Sequence, residues 1–262
     1  MPFESVKVPI GEIVDFEPGE LRALRFKMPD SIDMRHRRPG NAFWARIWGD
    51  KTRKLEVRAY SFSDGTTRRI VETVVSKAAK DPNTSLFLQR VKVGDEIEIR
   101  IENGSRKLFI NPRKDLKLER DNWWPHQKFL FLGLGSGVAP HLSVIRYMAT
   151  MDFIPDSIFV VSAKNHERLI FHDELKKIAL NFPNFSYLPF LTRIPPENWD
   201  LAVPDDWHYY SGRPNLAALV EAIPDISERH VRVCGGGGVR KIFEEEARKL
   251  GIKFQSIRSE EW

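Results

Sequence analysis

Residues 129–140 read Phe-Leu-Phe-Leu-Gly-Leu-Gly-Ser-Gly-Val-Ala-Pro, an apolar run that enters a turn with glycines at 133, 135 and 137. Glycine lets a backbone pass close to a ligand, and the free amides of a helix starting there carry partial positive charge. Gly135, Ser136, Gly137 and Pro140 therefore have the chemistry of a pyrophosphate site. The spacing departs from Gly-x-Gly-x-x-Gly, and glycines that serve only the packing of a tight turn would look the same. A second cluster, Cys234-Gly235-Gly236-Gly237-Gly238, lies between a strand-like run, Val231 to Val233, and an amphipathic segment from Val239. Two such turns on one parallel sheet offer two open backbone surfaces at the carboxyl ends of strands, where open α/β sheets bind ligands. Cys234 alone reads either as a buried small apolar residue or as a functional thiol at a strand end.

Further upstream, Arg58-Ala59-Tyr60-Ser61 ends a strand-like run and precedes the turn-like Ser63-Asp64-Gly65. An arginine can hold a phosphate through two parallel hydrogen bonds, a tyrosine ring offers a stacking face, and a serine hydroxyl can donate or accept. In isolation the quartet also fits an ordinary exposed strand end. Thr84 and Ser85, before Leu86-Phe87-Leu88, read as a helix N-cap. Val160-Val161-Ser162-Ala163-Lys164-Asn165 ends a strand with a lysine where an NAD-type site often carries a carboxylate, which favours a ligand with a 2′-phosphate.

The elements that must position these groups fall into two classes. Up to about Asn111, short runs rich in β-branched and aromatic residues predict strands at 21–26, 43–48, 55–60, 69–75, 96–101 and 107–110. Val71, Thr73 and Val75 alternate with Glu72 and Val74, and Ile97, Ile99 and Ile101 with Glu96, Glu98 and Arg100, which predicts strands with one buried face. After the polar, proline-containing stretch 111–127, continuous apolar strands (129–132, 158–161) and the strand-like runs 185–190 and 231–233 alternate with amphipathic helices. Those helices carry Leu142, Ile145 and Met148; Leu175, Ile178 and Ala179; Leu216, Leu219 and Val220; and Phe243, Ala247 and Leu250. Such alternation predicts a parallel sheet covered on both faces. The expected architecture is a two-domain protein: an N-terminal antiparallel β-barrel over 1–120 and a C-terminal α/β parallel-sheet domain over 121–262.

Composition bounds the function. The 262 residues, 42% hydrophobic and 29% charged, suit two folded cores. The lone cysteine excludes an internal disulfide framework and any iron–sulfur cluster ligated by several cysteines of this chain, and no metal site is expected. The chain start lacks a basic segment followed by an apolar run, and no apolar stretch reaches about 18 residues, so a soluble cytoplasmic protein without membrane spans is expected. A net charge of +5 admits a nucleic acid, an anionic surface, an acidic protein or a phosphate-bearing ligand as partner. The basic runs Arg35-His36-Arg37-Arg38 and Arg113-Lys114-Asp115-Leu116-Lys117 read as solvated loops or a partner-docking patch.

Taken together and in their order, these segments resemble the ferredoxin–NADP reductase superfamily of flavoproteins, in the type of the bacterial ferredoxin/flavodoxin reductases. Arg58, Tyr60 and Ser61 match its Arg-x-Tyr-Ser flavin motif. Gly135 to Ser143 matches its Gly-Thr-Gly-x-Ala-Pro-x-x-Ser nucleotide motif with Ser136 for threonine, and Cys234-Gly235 matches its Cys-Gly motif. The Lys92-Val93-Gly94-Asp95 turn and the Phe171-His172-Asp173-Glu174-Leu175 helix start look like family features too. The family's Gly-Pro-x-Gly-x-Phe segment has no counterpart beyond Asn103-Gly104 and Phe109.

The resemblance implies FAD and NADP(H) as cofactors. Arg58, Ala59, Tyr60 and Ser61 would hold FAD, with Tyr60 stacked on the isoalloxazine, Ser61 near flavin N5 and Arg58 on the pyrophosphate; Thr84 and Ser85 would form a second phosphate-binding turn. Gly135, Ser136, Gly137, Pro140, Cys234, Gly235 and Gly236 would hold the nucleotide. Arg193 and Arg213 would join Lys164 in gripping the 2′-phosphate, unless the three are solvated surface cations. Ser61, Cys234 and Trp262 would flank the reacting centre, Trp262 covering the flavin face unless it frays. The implied activity is hydride transfer from NADPH to FAD, with electrons passed singly to a separate acceptor. Ferredoxin or flavodoxin fits best because both are usually acidic and this chain is basic. A reductase component of an oxygenase system, or a free-flavin or ferric reductase, is the alternative, and nucleic acid and membrane are not expected partners.

Overall fold

A computed structural model describes residues 5–34, 37–49, 54–65, 69–77, 88–101, 109–110, 124–236 and 238–260. The chain forms two compact units: Met1–Lys114 with Leu142–Tyr147, and Asp115–His141 with Met148–Trp262. The expected sites Thr84, Ser85 and Trp262 lie outside the described residues.

The first unit is an antiparallel sheet of β1 (Ser5–Glu17), β2 (Leu21–Lys27), β3 (Ala42–Gly49), β4 (Lys54–Ser61), β5 (Ile70–Ser76), β6 (Glu96–Arg100) and β7 (Phe109–Ile110). Its order is β4-β3-β6-β1-β2-β5, with β7 on β3. Phe62, just past β4, bridges Thr73 of β5 and joins the two ends of that order into a barrel. Strand β1 escapes a periodicity reading because it changes partner midway. Ser5–Pro9 pairs with β6, the register shifts between Ile10 and Glu12, and the remainder pairs with β2. A bulge at that point turns the strand and breaks the alternation.

Phe43 anchors the barrel core, its ring 5.5 Å from Phe26 and 4.9 Å from Phe62. Such ring pairs add about 0.5–1.5 kcal/mol beyond area burial. Strand β6 alternates as expected, with Ile97 and Ile99 buried. Strand β5 does not: Val71, Glu72, Thr73, Val74 and Val75 are all buried, against the expectation of a single buried face. The reason is Glu72, only 3% exposed, which accepts from Arg25 at 2.7 Å, from Arg146 at 2.6 Å and from the Ser63 hydroxyl. Two guanidinium groups and a hydroxyl satisfy a carboxylate that burial alone would expel.

The second unit is a six-stranded parallel sheet in the order β11-β10-β9-β8-β12-β13. Its strands are β8 (Phe129–Leu134), β9 (Ser157–Ala163), β10 (Phe185–Leu191), β11 (Tyr210–Ser211), β12 (His230–Cys234) and β13 (Ser256–Glu260). Helix α1 (Val138–Thr150) follows β8, α2 (His172–Asn181) follows β9, α3 (Leu216–Ala222) follows β11 and α4 (Val239–Leu250) follows β12. One face of the sheet packs Leu130, Leu132, Val160, Phe190, Val231 and Val233 against Leu216 and Leu219 of α3 and Phe243 and Ala247 of α4. Each such buried side chain contributes about 1.5–3 kcal/mol. On the other face, His141 of α1 lies against Phe131 and Phe159. Asn215 caps α3 by accepting from the Ala218 amide at 2.9 Å, and Gly251, at φ 69°, ends α4 in the left-handed turn that favours glycine. Among the described residues no helix is long and apolar enough to cross a membrane.

Candidate functional site

In the second unit β8 sits between β9 and β12, so the chain lays β9, β10 and β11 on one side and β12 and β13 on the other. The helices that follow β8 and β12 cover opposite faces of the sheet, and the carboxyl ends of strands at such a reversal are where open α/β sheets bind ligands. Both glycine turns stand at this point. Leu134 ends β8 and Gly135–Gly137 forms one 3-10 turn into α1, while Cys234 ends β12 and Gly235–Gly236 follows it.

The glycines divide into two physical kinds. A Cβ on Gly137 would lie 2.2 Å from the Cys234 carbonyl oxygen and 2.8 Å from the Gly235 nitrogen, so the two turns touch backbone to backbone. A Cβ on Gly235 would lie 2.8 Å from Leu134 Cβ. These two glycines serve close packing. Gly135, at φ +58°, and Gly236 would have nothing within 4 Å of an added Cβ. Their backbone is exposed and open, as a surface that accepts a ligand's phosphates must be.

Helix α1 has no acidic residue in its first turn, so its positive end is not neutralised from within. Pro140 lies in that first turn, where the missing N–H breaks no intrahelical bond, and it is buried. His141 beside it is 1% exposed, and burial lowers its pKa to about 3, so the imidazole adds no charge behind the turn. Cys234 is buried and in no disulfide.

The three expected cations stand at the ends of neighbouring strands. Lys164 follows β9, Arg193 follows β10 and Arg213 follows β11. Backbone bonds hold these ends in line: the Arg193 amide donates to the Lys164 carbonyl at 3.0 Å, and the Gly212 amide to the Leu191 carbonyl at 2.9 Å. Arg193 and Arg213 are exposed and Lys164 half-buried. Sequence separation hides this neighbourhood; strand order creates it.

In the first unit, Arg58, Ala59, Tyr60 and Ser61 occupy the end of β4. Period-two geometry puts Arg58 and Tyr60 on one face. The Tyr60 ring packs 5.9 Å from Phe43 and remains partly exposed, which anchors it while leaving a surface to stack on. Arg58 is 43% exposed at its side chain and donates to Glu56 at 2.6 Å, so a carboxylate already holds the guanidinium expected to meet a phosphate. The Ser61 carbonyl accepts from Thr73 Oγ1 at 2.7 Å, which fixes the strand end at the barrel seam.

A further group went unread in the sequence. His172, at the start of α2, has Nδ1 3.0 Å from the Tyr187 hydroxyl and Nε2 2.8 Å from the Tyr209 hydroxyl. Tyr209 donates in turn to Asp206 Oδ1 at 2.9 Å, and the His166 ring stands edge-on to His172 at 5.1 Å. These residues belong to three separate segments, with no common period to betray them.

Comparison with known proteins bears on both units. Residues 131–245 match the oxidoreductase NAD-binding domain family. The glycine betaine monooxygenase reductase subunit of Pseudomonas aeruginosa is 34% identical over 112 residues, which cover 43% of this chain and 29% of that protein. The ferredoxin reductase component of 3-ketosteroid-9-alpha-monooxygenase from Rhodococcus rhodochrous is 22% identical over 258 residues, 98% of this chain and 64% of that protein. The chain therefore spans only 29% to 64% of the length of these two curated relatives. In fold it is similar to a ferredoxin NADP+ reductase from Neisseria gonorrhoeae solved with bound FAD and NADP, at a TM-score of 0.71 and 19% identity over 98% of both chains.

Proposed function

We propose that the chain is an FAD-dependent reductase of the ferredoxin–NADP reductase superfamily that oxidises NADPH and passes electrons one at a time to a ferredoxin or flavodoxin. The observation that carries this reading is the meeting of two glycine turns at the reversal of strand order, with open backbone at Gly135 and Gly236. Bound FAD supplies the acceptance of a hydride and its release as single electrons. The chain's own residues bind and orient. Gly135, Ser136, Gly137 and Pro140 shape an anion site at the start of α1, and Gly235 and Gly236 flank the nicotinamide end beside Cys234. Lys164, Arg193 and Arg213 pair with the 2′-phosphate through charge-assisted bonds. In the barrel, residues 1–120 by this division, Arg58 pairs with the flavin's phosphates. The Tyr60 ring stacks, and Ser61 offers its hydroxyl near the reacting nitrogen. Thr84 and Ser85 form a second phosphate turn, and Trp262 covers the flavin. A single cysteine, in no disulfide, suits a reducing, cytoplasmic compartment.

A second reading, the reductase component of an oxygenase system, is favoured by the names of the relatives, which include monooxygenase reductase subunits. The electron acceptor separates the two. The purified protein is expected to show flavin absorption and to oxidise NADPH with an artificial acceptor. Stopped-flow reoxidation by ferredoxin, flavodoxin and oxygenase components then ranks the acceptors. A protein without flavin bands that leaves NADPH intact overturns both readings.

A further inference from the structure

The sequence offers a single cysteine and no metal motif, yet two histidines and a carboxylate converge on one side of the second unit. Ligand atoms of His166, His172 and Asp206 all lie within 4.8 Å of one another. His166 comes from the turn after β9, His172 from the first residue of α2, and Asp206 from the segment before β11.

We propose that His166, His172 and Asp206 form a binding site for a borderline divalent cation of the Zn²⁺ type. Two imidazoles and one carboxylate are a donor set that such ions take, and one further position would be left for an oxygen ligand. His166 Nε2 is closed off from solvent and has no hydrogen-bond partner among the described residues. A buried lone pair without a donor is costly, and a cation would satisfy it. His172 is held from behind: its Nδ1 meets the Tyr187 hydroxyl at 3.0 Å, which leaves Nε2 facing the Tyr209 hydroxyl on the side of Asp206, the outer-shell arrangement that orients metal-binding histidines. The Tyr209 hydroxyl bridges His172 Nε2 and Asp206 Oδ1 at 2.8 and 2.9 Å. A first-row cation would replace those contacts with bonds of about 2.0–2.2 Å, with Tyr209 as the adjacent oxygen. The required contraction falls on Asp206, whose side chain is 46% exposed, while His172 stays in place as a buried residue.

Lys176 opposes the ion. Its ammonium pairs with the other oxygen of Asp206 and with Asp173 at 3.4 Å, and so competes for the carboxylate. The site is therefore expected to be of moderate affinity and to tighten when that competitor is removed, a direction that general damage to the fold does not produce. An ion here would tie the turn after Lys164 to α2 and to the segment leading into β11.

The test is calorimetric titration of the purified full chain with Zn²⁺ alone, paired with thermal denaturation with and without the ion. One saturable site and a raised Tm are expected, since a ligand that binds only the folded state stabilises it. His166→Gln and Asp206→Asn should each weaken binding by about tenfold or more, and Lys176→Met should strengthen it. The exposed His126, replaced by Gln as a control, should leave binding unchanged. Circular dichroism confirms that each variant folds, and either of the two ligand variants suffices if the other fails. The proposal is overturned if the unmodified chain shows no saturable site, or if the ligand variants bind Zn²⁺ as tightly as the unmodified chain, which would mean an adventitious ion only.

Discussion

Replacing Gly236 with alanine separates binding from packing more cleanly than any other change in the nucleotide unit. Its backbone lies outside the left-handed region, and a Cβ there would have nothing within 4 Å, so the folded protein gains a methyl group without strain or collision. The unfolded chain loses freedom, and stability should hold or rise by about 0.4–1 kcal/mol. On the proposed function a bound nucleotide meets a different surface. A methyl inserted where backbone and ligand must approach closely costs on the order of 1–3 kcal/mol, the usual penalty of overpacking a fitted contact. At about 1.4 kcal/mol per decade that is roughly 5- to 150-fold in Kd for NADPH. Gly137→Ala makes the contrast: its Cβ would stand 2.2 Å from the Cys234 carbonyl, so the ends of two adjacent central strands must part and stability must fall. Fluorescence titration with NADPH and urea denaturation on both variants provide the assay. If Gly236→Ala keeps its NADPH affinity within about twofold while its stability behaves as described, the open backbone is not where the nucleotide lies, and the packing reading of both turns stands.

The remaining expectations concern charge, flavin and pH. Changing Arg193 and Arg213 together to glutamine should raise the Michaelis constant for NADPH far more than that for NADH, measured by steady-state oxidation of each; equal effects would mean the pair does not read the 2′-phosphate. Arg58→Ala or Tyr60→Ala should lower the flavin content of the purified protein, whereas Glu56→Gln, which removes the carboxylate 2.6 Å from Arg58, should preserve or raise it. Full flavin in the first two variants would refute their assignment. His141, lowered by burial to about 3, is stabilising above its unfolded pKa near 6.5, and that contribution drains away as the pH falls toward 3. Between pH 7 and pH 5 the difference is about 2 kcal/mol, so His141→Leu should lose about that much less stability than the unmodified chain over the interval, as read from urea denaturation at both pH values.

The fold was legible where local chemistry and tertiary context agree. Ile97 and Ile99 alternate with charged neighbours because β6 has one wet face, and Leu130 to Leu132 or Ile158 to Val161 run unbroken because their strands are covered on both. Legibility failed where a partner changed the rule. Strand β1 hid because a register shift at Ile10 and Glu12 hands it from β6 to β2. Glu72 looked solvent-facing because nothing nearby in sequence announces Arg25, Ser63 and Arg146, the three groups that make its burial tolerable.

The proposed nucleotide site illustrates the same division at a larger scale. Residue type alone marked Gly135–Gly137 and Cys234–Gly236, since only glycine suits an open or crowded turn at a strand end. Their contact, about a hundred residues apart in the chain, depends on β8 lying beside β12. That adjacency has a mechanical cause. Right-handed crossovers carry β8, β9 and β10 in one direction across the sheet, which leaves His141 of α1 and His172 of α2 on the face of Phe131, Phe159 and Tyr187. Leu130, Leu132 and Val160 on the opposite face stay uncovered until the chain turns back, and the same handedness rule then places α3 and α4 over them while β12 pairs with the free side of β8. Covering the second face of the sheet therefore forces the reversal of strand order, and both glycine turns stand at that reversal. In this chain the demand to bury apolar surface and the location of the proposed nucleotide site have one origin.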